Sequence, residues 1–156
     1  SFGNMTGLIH LDVSYNMFTG NIPTELGKLS SLELLRLRNN TLNGTVPDEI
    51  FAMGSLTELY LSNNTLTGTV SDKIEELHNL VELLVDGNFI SGTIPEALGN
   101  LSNLEIAWLQ YNNMQGVMPA TICSGKNFRN TKLKTLKSDC NGDKPKVTCT
   151  CCTECY

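Results

Sequence analysis

Nowhere in these 156 residues does an apolar run approach the ~18 residues a membrane-crossing helix needs, so no membrane span is expected. Ser1 opens no secretory leader, because the first residues lack both a charged start and an apolar stretch. Basic residues are scarce over most of the chain. Residues 1–123 hold 4 Lys/Arg against 13 Asp/Glu, a balance of −9, which leaves no basic face for nucleic acid. Residues 124–156 hold 7 against 3, a balance of +4, and together these give the net charge of −5. The basic stretch Lys126, Arg129, Lys132, Lys134, Lys137 is read as a solvated face rather than a lipid or polyanion site. No cysteine precedes residue 123, and the two histidines, His10 and His78, lie far from the cysteines that follow it.

What the chain does have is a period of twenty-four residues. From Leu8 it reads L-x-x-L-x-L-x-x-N-x-L-x-G-x-I-P-x-x-L-x-x-L. Its Asn falls at Asn16, Asn40, Asn64, Asn88 and Asn112, and its Gly at Gly20, Gly44, Gly68, Gly92 and Gly116. Five registers without insertion or deletion mark a solenoid, whose stability is roughly a sum of neighbour interfaces. The L-x-x-L-x-L segment alternates with period two and reads as a short strand. Leu11/Val13, Leu35/Leu37, Leu59/Leu61, Leu83/Val85 and Ala107/Leu109 are expected to point inward. Stacked coils then form a parallel sheet with neighbours ~4.8 Å apart. The Asn column satisfies backbone groups freed where each strand turns, and the Gly column suits a left-handed or closely approached backbone. Pro23, Pro47, Pro95 and Pro119, with Ser71 the one substitution, end the second extended segment. Ser1 to Gly7 reads as the end of a previous repeat, so the chain is expected to begin in mid-coil, as a fragment.

The G-x-I-P variant, as in Thr19-Gly20-Asn21-Ile22-Pro23 and Ser91-Gly92-Thr93-Ile94-Pro95, resembles the plant-specific class of leucine-rich repeats over residues 1–123. The tail Cys140…Cys149-Thr-Cys151-Cys152-Thr-Glu-Cys155-Tyr156 is similar to the cysteine-rich end of leucine-rich-repeat proteins in diatoms and related algae. The resemblance implies an α/β solenoid: a right-handed leucine-rich-repeat superhelix of about five 24-residue coils, with a parallel concave sheet and a disulfide-rich C-terminal cap. Residues 1–7 would end a truncated repeat, 8–123 form five repeats, and 124–156 form the cap. Proteins of that class are extracellular receptors, co-receptors or secreted inhibitors that bind peptides, hormones or proteins along the inner curve.

Cys123, Cys140, Cys149, Cys151, Cys152 and Cys155 are even in number and confined to one end, as suits a disulfide-stapled cap in an oxidising compartment. Their pairing stays open, except that adjacent Cys151 and Cys152 make too strained a ring to join. The rival is a metal site from Cys149, Cys151, Cys152 and Cys155, but the spacing lacks two separated C-x-x-C knuckles. Glycosylation sequons fall at Asn4, Asn39, Asn43, Asn63 and Asn100, all at positions expected to be exposed.

A search for catalytic residues ends without a constellation. His10, Asp12 and Ser14 share a strand face, yet His10 and Ser14 would lie ~13 Å apart with the acid between them, the wrong order for a hydrolase triad. Glu58, Glu82 and Asp86 form a small acidic group, read as solvated rather than as a calcium site. No glycine-rich phosphate loop is present, and no cofactor is expected.

Binding should therefore sit in the variable positions of the sheet face. The central column reads Asp12, Arg36, Tyr60, Leu84, Trp108, where Asp12 and Arg36 can pair. One flanking column reads His10, Leu34, Glu58, Glu82, Ile106, and another Ser14, Arg38, Ser62, Asp86, Gln110. Past the strand end come Tyr15, Asn39, Asn63, Gly87, Tyr111. Tyr60, Leu84, Ile106, Trp108 and Tyr111 are expected to form an apolar and aromatic patch open to water and, with Arg36, the ligand-binding residues.

The expectation is a non-enzymatic extracellular recognition module, receptor-like or surface-attached, for a protein, peptide or glycan ligand. The alternative is a self-associating structural scaffold. A lesser one is ice binding through the flank threonines Thr45, Thr69 and Thr93, with Thr19, Asn43, Thr67 and Ser91 beside them. Whether a membrane anchor follows Tyr156 stays open.

Overall fold

The computed structural model describes residue 5 and residues 7–123, 132–142 and 145–156. The Asn4 sequon and the basic residues Lys126 and Arg129 lie outside these.

Each coil contributes one three-residue strand to a parallel sheet: His10–Asp12, Leu34–Arg36, Glu58–Tyr60, Glu82–Leu84 and Ile106–Trp108. Register holds throughout, with Asp12 opposite Arg36, Arg36 opposite Tyr60, Tyr60 opposite Leu84 and Leu84 opposite Trp108. The sheet does not stop with the repeats. Thr135–Ser138 and Glu154–Cys155 extend it to seven strands, Lys137 opposite Trp108 and Glu154 opposite Lys137. The C-terminal segment read as a cap is thus continuous with the sheet and prolongs the central column by two residues, Lys137 and Glu154.

The leucine positions are buried as their period requires. Leu35, Leu59, Leu83 and Ala107 face inward with Leu37, Leu61, Val85 and Leu109, all with at most 4% of their surface exposed. Leu11 and Val13 are only half-buried, because no described coil covers the first strand on its other side. A second extended segment follows on the flank, where Thr19–Asn21 pairs with Thr41–Asn43 and Ser91–Gly92 with Asn113–Met114. Beyond it, Pro23, Pro47 and Pro95 sit extended at the start of single helical turns, and Ser71 does the same with its hydroxyl accepting the Lys73 N–H.

Two columns fasten coil to coil. The Asn64 side chain donates to Leu61 O at 3.0 Å in its own coil and to Leu37 O at 3.1 Å in the preceding one, while its Oδ1 accepts the Leu42 N–H at 3.0 Å. Asn40, Asn88 and Asn112 repeat this pattern. The glycine column has two causes at once. Gly68 sits at φ +79°, where side chains are disfavoured. A Cβ there would also stand 2.6 Å from the Thr45 methyl carbon, so the flank threonine of one coil fills the space that glycine leaves in the next.

All six cysteines are oxidised, as Cys123–Cys151, Cys140–Cys155 and Cys149–Cys152. The adjacent pair Cys151 and Cys152 belongs to two different bridges. Every proposed metal ligand of the rival reading is a disulfide sulfur rather than a thiolate, and it is the thiolate that binds metal.

Candidate ligand-binding face

The outward side chains of the sheet stand one strand apart, close enough for several of them to satisfy one another. Arg36 donates to Glu58 Oε2 from Nε at 3.2 Å and Nη2 at 2.7 Å. It also pairs with Asp12 at 3.7 Å, as expected, and lies 4.8 Å over the Tyr60 ring. Its hydrogen bond to Glu58 raises its pKa above the ordinary arginine value. Tyr60 donates to Glu82, and Ser62 donates to Asp86 at 2.5 Å. Burial first, then the hydrogen bond to Glu82, raise the Tyr60 pKa, so the phenol stays neutral. The acidic group Glu58, Glu82 and Asp86 is therefore a set of engaged acceptors, each with its own donor.

This packing corrects one expectation. Tyr60 and Leu84 are not open to water: 9% and 6% of their surface is exposed. The guanidinium of Arg36 covers the tyrosine ring from one side, and the neighbouring strands close the rest. Ile106 and Trp108 are half-buried. The cap takes part of the Trp108 surface, for the Lys137 ammonium lies 4.5 Å from its ring centre. Lys137 is held there by Glu154 at 2.9 Å, and that hydrogen bond raises its pKa. Tyr156 adds a ring 5.2 Å from that of Tyr111. Of the expected patch only Tyr111 is well exposed, at 58%. Tyr15 and Tyr111 share a left-handed backbone just past the strand ends, φ 56° and 58°, which turns both rings outward.

Ser14 Oγ, Arg38 Nε, Trp108 Nε1 and Gln110 Oε1 are buried on this face without a partner among the described residues, and Arg38 is the charged one. The Arg38 guanidinium lies 5.2 Å from the Tyr15 ring centre and 5.7 Å from that of Tyr60. Its Nε is buried without an acceptor, and among the described residues Arg38 makes no ion pair. Elsewhere in the repeats Arg36 and Lys73 have carboxylates at 2.7 and 2.9 Å, and Lys28, which makes no ion pair among the described residues, is exposed to water. Sequence reasoning named Arg36 and passed over Arg38. The signal was available: an array with a balance of −9 places one cation in the column just beyond Arg36, opposite serines rather than acids. Lys137 and Tyr156 were missed because nothing in the repeat period extends the sheet into the cap.

Such a solenoid, with its asparagine ladder and a polar sheet face, is the architecture of leucine-rich repeats. The Leucine Rich Repeat family model matches residues 7–29, 31–53, 55–77 and 79–101, and the chain belongs to that family. Among solved structures it is similar to PEPR1 in "Crystal structure of PEPR1-AtPEP1", at 36% identity and TM-score 0.84, over 95% of this chain and 19% of that one. It is similar to the plant peptide hormone receptor RGFR1, solved in complex with RGF2, at 33% identity and TM-score 0.80, over 88% of this chain and 21% of that one. A plant ice-binding protein matches at 28% identity and TM-score 0.77, over 94% and 44%. The chain thus spans about a fifth of the length of PEPR1 and of RGFR1. No curated protein matches it. Among the described residues no helix is long and apolar enough to cross a membrane.

Proposed function

We propose that this chain is a non-enzymatic recognition module that acts outside the cell and binds a protein or peptide ligand across the open face of its sheet. The observation that carries the reading is Arg38. A cation clamped between two tyrosine rings, with no carboxylate partner among the described residues, is pre-set to receive an anionic group from a ligand. Pairing with a carboxylate would then complete an incomplete hydrogen-bond set. Arg36 is less free, being held by Glu58. Tyr60 and Leu84 serve as floor rather than as protruding anchors. Ile106, Trp108 and Tyr111 supply apolar surface toward the cap, three strands away from Arg38, a span of ~14 Å that an extended peptide of about four residues covers. The three disulfides and the similarity to the plant peptide hormone receptor RGFR1 support the compartment and the ligand class.

Selection from a random peptide library displayed with free C-termini tests this reading. The expected enrichment is of peptides carrying a side-chain or terminal carboxylate near an apolar residue. Enrichment of basic peptides, or none over a chain denatured by reduction, would count against it.

Glycans are expected at one or more of Asn39, Asn43, Asn63 and Asn100. Asn43, Asn63 and Asn100 are exposed and Asn39 half-buried. Asn100 already donates to Glu75 at 2.8 Å, which makes it the least free of the four. Intact mass of the natively produced protein should exceed the bare polypeptide, and a mass equal to it would contradict both glycan and secretory route.

Ice binding is a second reading, favoured by the ice-binding neighbour and by exposed Thr45, Thr69 and Thr93. Against it, hydroxyls beside that column are turned inward, Thr65 to Leu42 O, Thr67 to Gly44 O and Ser91 to Gly68 O. A glycan on Asn43 would also stand in the middle of the flank. Absence of thermal hysteresis in the unglycosylated chain would remove this reading.

A further inference from the structure

Three disulfides in one small cap need not be independent. The sulfurs of Cys123, Cys149 and Cys151 all lie within 4.8 Å of one another, and so do those of Cys140, Cys149 and Cys152. Cys149 belongs to both groups. Its sulfur therefore neighbours a sulfur of each of the other two bridges, while it is itself joined to Cys152 across a sequence separation of 3. The other bridges close separations of 28 and 15. A short loop restrains the unfolded chain least, so breaking Cys149–Cys152 costs the fold least. Cys149 and Cys152 are half-buried and within reach of a small thiol.

We infer that Cys149–Cys152 is a thiol-exchange site, and that its reduction is passed to Cys140–Cys155, which unfastens the last residues of the chain from the sheet face. A small dithiol reduces the Cys149–Cys152 bridge, giving up two electrons and two protons, so that the bridge becomes two thiols and the dithiol becomes a cyclic disulfide. The Cys149 thiolate then attacks the Cys140 sulfur. The Cys140–Cys149 bond forms, the Cys140–Cys155 bond breaks, and Cys155 leaves as a thiolate that takes a proton from water. The second step is an exchange with no net oxidation. Cys155 lies in the outermost strand, whose Glu154 holds Lys137 against Trp108 and whose neighbour Tyr156 stacks on Tyr111. Once Cys155 is free, that strand keeps its backbone hydrogen bonds, these side chains and the Thr153 hydroxyl bonded to Leu136, but it loses its covalent tie to Cys140, and the aromatic end of the face is uncovered as it lifts.

The experiment is brief treatment of the folded chain with dilute dithiothreitol, alkylation, and mass spectrometry of non-reduced peptides, with emission of Trp108, the chain's single tryptophan, followed in parallel. The expected early product carries label on Cys152 and Cys155, contains a Cys140–Cys149 bridge, and has a shifted emission. Label on Cys149 and Cys152 alone, on Cys140 and Cys155 together, or a Cys123–Cys149 bridge with Cys155 protected would overturn the relay. A formed Cys140–Cys149 bridge with unchanged emission would overturn the uncovering. In the double variant Cys149→Ser, Cys152→Ser, release of Cys155 should slow by about 10-fold or more, because a tethered thiolate acts at far higher effective concentration than a dilute reagent. An unchanged rate would likewise refute it. Should that variant misfold, the peptide map of the native chain decides alone.

Discussion

Asn64→Ala is expected to destabilise the fold by about 2 kcal/mol, since one buried backbone N–H loses its acceptor and two carbonyls each lose one of their two donors. The side chain is 7% exposed, and its amide serves Leu61 O and Leu37 O while its carbonyl serves Leu42 N–H. Alanine leaves the Leu42 N–H without its acceptor between stacked coils, a loss of ~1–3 kcal/mol, while Leu37 O keeps the Asn40 amide and Leu61 O keeps the Asn88 amide. The same change at Asn16 is the control. Asn16 is exposed and bonds only within its own coil, to Val13 O and Ser14 O, so Asn16→Ala should cost less than about 1 kcal/mol because water replaces the lost bonds. Urea unfolding of the two variants gives the comparison. Equal losses would mean that the ladder does not fasten coil to coil.

Leu109→Ala is expected to cost about 2–5 kcal/mol through the cavity it opens between the last repeat and the cap strand. Leu109 is 2% exposed, in line with Ala107 on the inward side of the sheet. Its neighbour Trp108 faces the other way, half-buried under Lys137. Trp108→Ala should cost about 1 kcal/mol of stability, as the ring leaves no sealed cavity, and about 2 kcal/mol or more of ligand affinity as an aromatic anchor. If Trp108→Ala unfolds the chain as readily as Leu109→Ala, the tryptophan is core packing and the aromatic end of the face is no binding surface.

The fold was legible because solenoid packing repeats one environment. Leu35, Leu59 and Leu83 meet the same neighbours one coil apart, so a single period encodes the strand, the buried row and the asparagine ladder. The exposure of the face was not legible in the same way. Alternation tells which side chains point outward, but not that an outward arginine lies over the next strand's tyrosine. Tyr60 and Leu84 were placed on the right side and still proved buried, because long neighbours one strand away cover them. Sheet continuation into Thr135–Ser138 and Glu154–Cys155 left no periodic mark, and the disulfide pairing depends on that continuation. Arg38 was not legible as a site because its residue type alone does not show which side chains surround it. Its meaning lies in what surrounds it: Ser14 and Ser62 in the adjoining strands, where Arg36 has Asp12 and Glu58.

Calorimetric titration of a selected acidic peptide into the native chain, Arg38→Gln and Thr69→Ala tests the central claim most directly. Arg38→Gln keeps most of the side chain's bulk and removes its charge, and should weaken binding about 10-fold to 100-fold, the range for loss of one charged hydrogen bond. Thr69→Ala, on the flank, should leave the affinity unchanged. Binding that survives Arg38→Gln intact, or fails with Thr69→Ala, would contradict recognition across the open face of the sheet.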